Sequence, residues 1–136
     1  MKFGILYELQ MEKPWDANRE RETYNNALDQ IELADKVGFD YAWVVEHHFL
    51  PEYSHSSAPE VFLGAASQRT KTIRLGHGVA LLPTPFNHPI RVAERAATLD
   101  IISNGRMDLG TGRSVTEIEM DGFETNEGVI IIAATN

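Results

Sequence analysis

Residues 46–48 read Glu-His-His, directly after the apolar run Tyr41–Val45, and His55 follows a few residues on. A neutral imidazole titrates at about pH 6.5, so it can take or give a proton at operating pH. His47, sitting where a buried strand runs out, is therefore a candidate general base or hydrogen-bond donor. The same residues admit a structural reading, in which Glu46 and His47 cap the strand and pair with nearby polar groups. A metal centre would need converging ligands, such as two histidines one turn apart on a helix. His47 and His48 are adjacent and would point oppositely in strand geometry, while His55, His77 and His88 are scattered. No metal site is expected, and His88, which precedes Pro89, reads as a loop or helix-start residue.

Two further stretches carry usable groups. The segment LGTGRS, Leu109–Ser114, offers a glycine-permitted turn, a guanidinium and a hydroxyl. Arg113 can bind a phosphate or polarise a carbonyl, and a tight turn with a surface arginine fits the same residues. In the segment GHGVALLP, Gly76 and Gly78 flank His77. Glycine inside a strand marks a bulge or the close approach of another group. A flat aromatic cofactor lying against Gly78 and Val79 would use the missing side chain, and so would plain barrel packing.

The elements that must position these residues alternate. Residues 2–7 form a short apolar run followed by a polar loop through Pro14 and Trp15. From Arg19 to Val37 the residues Tyr24, Ala27, Leu28, Ile31 and Ala34 recur at helical spacing, and Gly38 stands where a C-terminal glycine belongs. Residues 40–45 return as a strand. Ser57 and Glu60 have capping-box spacing, opening a helix through about Gln68. Residues 72–79 make the next strand, and Pro89 suits the first turn of a helix carrying Ile90, Ala93, Ala97 and Ile101. The turn Asn104-Gly105 leads to a strand over 106–109. On the first helix, Glu32 and Asp35 read as a solvated face.

Strand and helix alternating in this way imply right-handed crossovers and a parallel α/β sheet covered by helices. A doubly wound sheet would show a glycine-rich first turn, but the first strand leads into ELQMEKPW. A (β/α) barrel of the TIM type distributes chemistry over several strand ends, where polar groups follow Tyr7, Val45, Leu75 and Leu109. The barrel is the predicted fold. Eight β/α units need roughly 250 residues, so 136 residues hold about its N-terminal half.

Twenty Asp and Glu against twelve Lys and Arg leave a formal charge of -8, which argues against nucleic acid or an anionic membrane as partner. The absence of cysteine removes disulfides and thiolate chemistry. No run of eighteen apolar residues occurs, so a cytoplasmic protein is expected.

Together, MKFGI, GFDYAWVVEHHF, IRLGHGVALLPTPFNHPIRVAERAATLDIISNGR and GTGRS resemble the bacterial luciferase-like, flavin-dependent monooxygenases over residues 1–123. The resemblance implies a (β/α) barrel that binds reduced FMN, supplied by a flavin reductase, and uses O2 to oxidise a small organic substrate such as an aldehyde. It puts His47 at the position of the active-site histidine. It puts Gly78 and Val79 where the family holds a non-prolyl cis peptide against the flavin, and Arg113 near the flavin phosphate and ring. Gly112 stands where some luciferases have a reactive cysteine, so light emission is not implied. Glu94, Arg95 and Asp100 fall in a sheet-covering, subunit-contact helix, and a homo-oligomer is expected.

Residues 124–136 depart from that pattern. From Glu127, and from as early as Glu119, the chain resembles the ATPase domain of membrane-associated AAA proteases, which would make Asn136 a nucleotide-sensing residue. No phosphate-binding loop precedes it, so ATPase activity is not expected; a chimera or truncation accounts for the junction. Val129–Ala134 is apolar enough to add a strand. Two function classes follow: an FMN-dependent monooxygenase present as an N-terminal fragment, or a catalytically silent half-barrel that only self-associates through its uncovered face.

Overall fold

The computed structural model describes residues 1–114 and 116–119; the tail with its expected extra strand lies outside them. The elements run β1 (Gly4–Tyr7), α1 (Arg19–Val37), β2 (Tyr41–Val44), α2 (Pro59–Arg69), β3 (Arg74–Leu81), α3 (Pro89–Ile102) and β4 (Met107–Gly112). The four strands are all parallel and lie side by side in chain order. This is the barrel-type α/β alternation predicted from the sequence. Among the described residues no helix is long and apolar enough to cross a membrane.

Because successive side chains leave a strand on opposite sides, the sheet has two distinct faces. On one, Ile5, Ala42, Leu75 and Met107 share one row and Tyr7 and Val44 the next. They pack with Ala27, Ile31 and Ala34 of α1, Phe62, Leu63 and Ala66 of α2, and Leu99 of α3. Ile31, Leu63 and Leu75 are fully buried, each contributing about 1.5–3 kcal/mol. The opposite face, which would line a closed barrel, carries Leu6, Tyr41, Trp43, Gly76 and Gly78. Tyr41 and Trp43 stack with ring centroids 5.8 Å apart. The Trp43 ring lies directly on Gly76, where a Cβ would come within 2.2 Å of it. Leu6 on this face is 56 % exposed.

Helix boundaries follow local signals, with one departure from the expected caps. Gly38 closes α1 with φ 89°, its N–H reaching back to Ala34 and Asp35 carbonyls. Pro89 opens α3, with His88 as N-cap accepting from Ile90 N–H through Nδ1 at 3.2 Å. The predicted capping box of α2 does not form. Pro59 starts the helix after Ala58, without a side-chain cap, and Glu60 instead meets Arg95 of α3 at 2.7 Å.

Asp35 corrects the reading of α1 as a merely solvated face. Its carboxylate accepts from the N–H groups of Lys71, Thr72 and Ile73 and from the Thr72 hydroxyl, at 2.6–2.9 Å. These bonds occupy the donors of residues 71–73, and β3 accordingly begins at Arg74 rather than at the predicted Thr72. Burial pushes the Asp35 carboxyl up, but the four hydrogen bonds outweigh it and hold the group at about 2, against an ordinary value of 3.8. A depressed native pKa means the contribution is complete above about pH 4 and is lost as pH falls toward about 2. The chain is expected to lose stability across that window, by at most about 2 kcal/mol from this group, whereas Asp35→Asn flattens that part of the profile. Urea midpoints measured between pH 2 and 5 check the result; parallel profiles for the two proteins would reject it.

Two arginines close the N-terminal end of the sheet. Arg74 grips Asp108 of β4 with two bonds of 2.7 and 2.8 Å. Arg106 donates to the carbonyls of Ser67, Thr70, Ile73 and Ser103 and to the Thr70 hydroxyl. The opposite ends of the strands are left to carry other groups.

Candidate active site

In a parallel sheet every strand delivers its next residues to the same edge. Here β1 delivers Glu8, β2 delivers Val45 to His48, β3 delivers Leu82, and β4 delivers Arg113 and Ser114. His47 and Arg113 therefore share one rim, as the sequence predicts for a barrel. The bond from His47 N–H to the Ser56 carbonyl, 3.0 Å, pins the backbone at the histidine.

The His47 ring is held from several sides. Its Nδ1 lies 2.9 Å from Glu119 Oε1, its Nε2 lies 3.7 Å from Glu8 Oε2, and Tyr53 meets the ring edge-on at 5.4 Å. The side chain is 12 % exposed. Glu119 is fully buried. Its Oε1 also accepts from His48 N–H at 3.0 Å, and its Oε2 accepts from the Ser114 and Thr116 hydroxyls, both at 2.9 Å. Burial raises the Glu119 carboxyl, but these bonds prevail and depress it, so it stands as a carboxylate. Glu8 keeps Oε2 buried with no hydrogen-bond partner.

The other members of the Glu-His-His triplet turn away from this space. Glu46 Oε2 accepts from Leu81 N–H at 2.8 Å, and its Oε1 accepts from Asn87 Nδ2 at 2.8 Å and faces His48 Nε2 at 3.0 Å. Burial raises the Glu46 carboxyl and this set of bonds overcomes it, leaving the group depressed. His48 stacks on Phe86 at 5.9 Å. Arg95 continues the network, bonded to Asn87 Oδ1 and Glu60. Glu46 thus ties the end of β2 to the end of β3, which is the structural role the sequence left open. His77 is buried on the helix side of β3, where desolvation lowers its pKa and keeps it neutral, with Nδ1 unpartnered. His55 is held between Glu20 and the Pro51 carbonyl.

Gly78 and Val79 lie in β3, and the peptide bond between them is cis, as the resemblance implied. A Cβ at Gly78 would meet Leu6 and Trp43 at an ordinary 3.5 Å. Packing inside this sheet therefore explains the glycine at 76 but not the one at 78. Gly110 and Gly112 are not the tight turn expected from LGTGRS. β4 runs straight through them, and they are glycines because a Cβ at Gly110 would come 2.4 Å from the His77 carbonyl oxygen and one at Gly112 2.6 Å from Val79. Arg113 follows, exposed and without a hydrogen bond or ion pair among the described residues. Val79, Gly112 and Arg113 are thus neighbours. His47 joins them through Glu119 and Ser114, the residue after Arg113.

Glu8 and Glu119 were not singled out from the sequence. Glu119 stands 72 residues from His47, and no spacing rule links them. One local sign was present: Thr116 and Glu119 have T-x-x-E spacing, and Glu119 N–H does bond Thr116 Oγ1 at 3.3 Å.

A family model described as luciferase-like monooxygenase matches residues 1–129. The chain belongs to the luciferase-like monooxygenase family. Within that family it is 35 % identical over 123 residues to the flavin-dependent trigonelline monooxygenase, oxygenase component, of Acinetobacter baylyi, covering 89 % of this chain and 32 % of that protein. Among solved structures, monooxygenase RslO1 from Streptomyces bottropensis superposes with a TM-score of 0.79 at 38 % identity, over 91 % of this chain and 36 % of that one. The oxygenating constituent of 3,6-diketocamphane monooxygenase from Pseudomonas putida, solved with FMN, gives 0.81 at 26 % identity over 93 % and 33 %. The chain therefore spans about a third of the length of these luciferase-like relatives.

Proposed function

We propose that this chain is part of an FMN-dependent, luciferase-like monooxygenase that oxidises a small organic substrate with O2, and that the rim at the C-terminal strand ends is its active site. The observation that carries the reading is Gly78: a glycine on the inner face that local packing does not require, beside the cis peptide and on the sheet whose rim holds His47 and Arg113. A flat ring system against Gly78 and Val79 gives that bare surface a use. Arg113, exposed and unpaired among the described residues, supplies a guanidinium for the phosphate or ring edge.

Bound reduced FMN would supply two electrons, so that one atom of O2 enters the substrate and the other leaves as water. The chain's own residues have simpler tasks. Leu6 and Trp43 present an apolar wall, Arg113 neutralises negative charge, and His47 moves a proton through Nε2. The Acinetobacter relative is named an oxygenase component, and by that analogy a separate flavin reductase delivers the reduced cofactor here. The reading includes a cytoplasmic homo-oligomer, for which exposed Val61 on α2 and Ile102 on α3 offer apolar surface.

The test is isotopic. Full-length protein containing this chain, fed reduced FMN by a flavin reductase under 18O2 with a panel of small ketones, aldehydes and N-methylated heterocycles, is expected to give product carrying one labelled oxygen. Flavin oxidation with every substrate returned unlabelled and unchanged would reject the assignment.

A further inference from the structure

We propose that Glu119 is a positioning residue that fixes the His47 imidazole with its proton on Nδ1 and so turns the Nε2 lone pair toward the rim beside Glu8. The proposal rests on the reading of His47 as the proton-transfer group.

The geometry leaves little freedom. Glu119 Oε1 lies between two nitrogens, His47 Nδ1 at 2.9 Å and His48 N at 3.0 Å. A backbone N–H can only donate, so Oε1 must be an acceptor, and the ring nitrogen sharing it must carry a hydrogen. Oε2 receives two hydroxyls, Ser114 and Thr116, which hold the carboxylate in the one orientation that meets both histidines. A neutral imidazole in water keeps its proton mainly on Nε2, so the contact inverts the ordinary preference. Which nitrogen is free is set by the bond the other makes.

The consequence lies at Nε2. Glu8 Oε2 is 3.7 Å away, buried and without a hydrogen-bond partner. A proton taken up at Nε2 would place the ring between two carboxyl groups, Glu119 at Nδ1 and Glu8 at Nε2. The remaining neighbours are neutral toward the ring: Tyr53 meets it edge-on and the Ser56 carbonyl binds only its backbone N–H. His48 is turned to Glu46.

Substitutions separate orientation from charge. In Glu119→Gln the amide carbonyl is expected to face the His48 N–H as Glu119 Oε1 does in the native chain, and so also to accept from Nδ1. The amide NH2 then faces Ser114 and Thr116, whose hydroxyls can rotate to accept. Orientation survives and the charge is lost. Glu119→Ala loses both.

The experiment is long-range 1H–15N correlation NMR of the histidine rings in the full chain, with the His47 signals assigned by their loss in His47→Gln. The native chain and Glu119→Gln are expected to show neutral His47 as the Nδ1–H form, and Glu119→Ala to shift it to predominantly Nε2–H. Glu119→Asp, which withdraws the carboxylate by one methylene, is expected to mix the two forms and serves if the alanine variant does not fold. A native chain with His47 as Nε2–H, or a folded alanine or aspartate variant unchanged from native, overturns the proposal. If the tautomer follows Glu119 while His47→Ala leaves flavin-dependent turnover unchanged, the positioning stands and the catalytic reading of His47 fails.

Discussion

His47→Ala is expected to lower turnover by about 100- to 10,000-fold, the usual loss for a proton-transfer group, while flavin affinity changes by roughly a few-fold at most. The asymmetry follows from where the ring is anchored. Its Nδ1 is occupied by buried Glu119, and only Nε2 faces the rim. The groups proposed to touch the flavin, Gly78, Val79 and Arg113, sit on β3 and just after β4 and make no bond to the imidazole. Removing the ring deletes one proton carrier and leaves those surfaces in place. Stopped-flow oxidation of the bound reduced flavin, paired with steady-state product formation in full-length protein, measures both quantities. Unchanged turnover would take His47 out of catalysis.

The second large effect concerns the 136-residue chain by itself. Its affinity for FMN is expected to fall at least a thousandfold below that of a full-length relative, with undetectable turnover. The chain spans about a third of its relatives, and among the described residues the C-terminal strand ends carry one guanidinium, Arg113. If the rest of a full-length relative supplies three charge-assisted hydrogen bonds of about 1.5 kcal/mol each, their loss alone amounts to a factor of about a thousand. The inner face, with Leu6 56 % exposed, also favours association of two sheets over a waiting pocket, so apparent affinity should rise with protein concentration. Titration calorimetry at two protein concentrations alongside sedimentation distinguishes the cases. Submicromolar, stoichiometric binding to a monomer would show that these four strands already form a competent flavin site.

Much of the framework was legible because its causes are local. The helical spacing of Tyr24 to Ala34 with Gly38 behind it, and Pro89 at the head of α3, act within one or two turns of chain, and those elements stand where the sequence put them. Once strands alternate with helices, handedness and parallel order follow, and one rim collects His47 and Arg113. What escaped notice was non-local. Asp35 looked like surface until the donors of residues 71–73 arrived beside it. Ser57 and Glu60 had the right spacing for a capping box, but Glu60 found Arg95 across the helix pair. Gly76 and Gly78 were indistinguishable as letters, and only the position of the Trp43 ring tells them apart. Glu119 was hidden for the same reason, since its meaning depends on a residue 72 positions earlier.

That Trp43 ring has one more consequence. The chain contains two tryptophans; Trp15 sits in the loop after β1, its indole N–H bonded to the Met11 carbonyl, whereas Trp43 lies across the inner face against Gly76 and close to Gly78. Indole emits at wavelengths that oxidised flavins absorb, and energy transfer between the two is steep in distance. A ring seated on Gly78 would lie against Trp43 and quench it, and a Trp15→Phe protein would leave Trp43 as its one tryptophan. The fold thus carries a built-in optical gauge, able to report arrival at the inner face without a label and without a reaction.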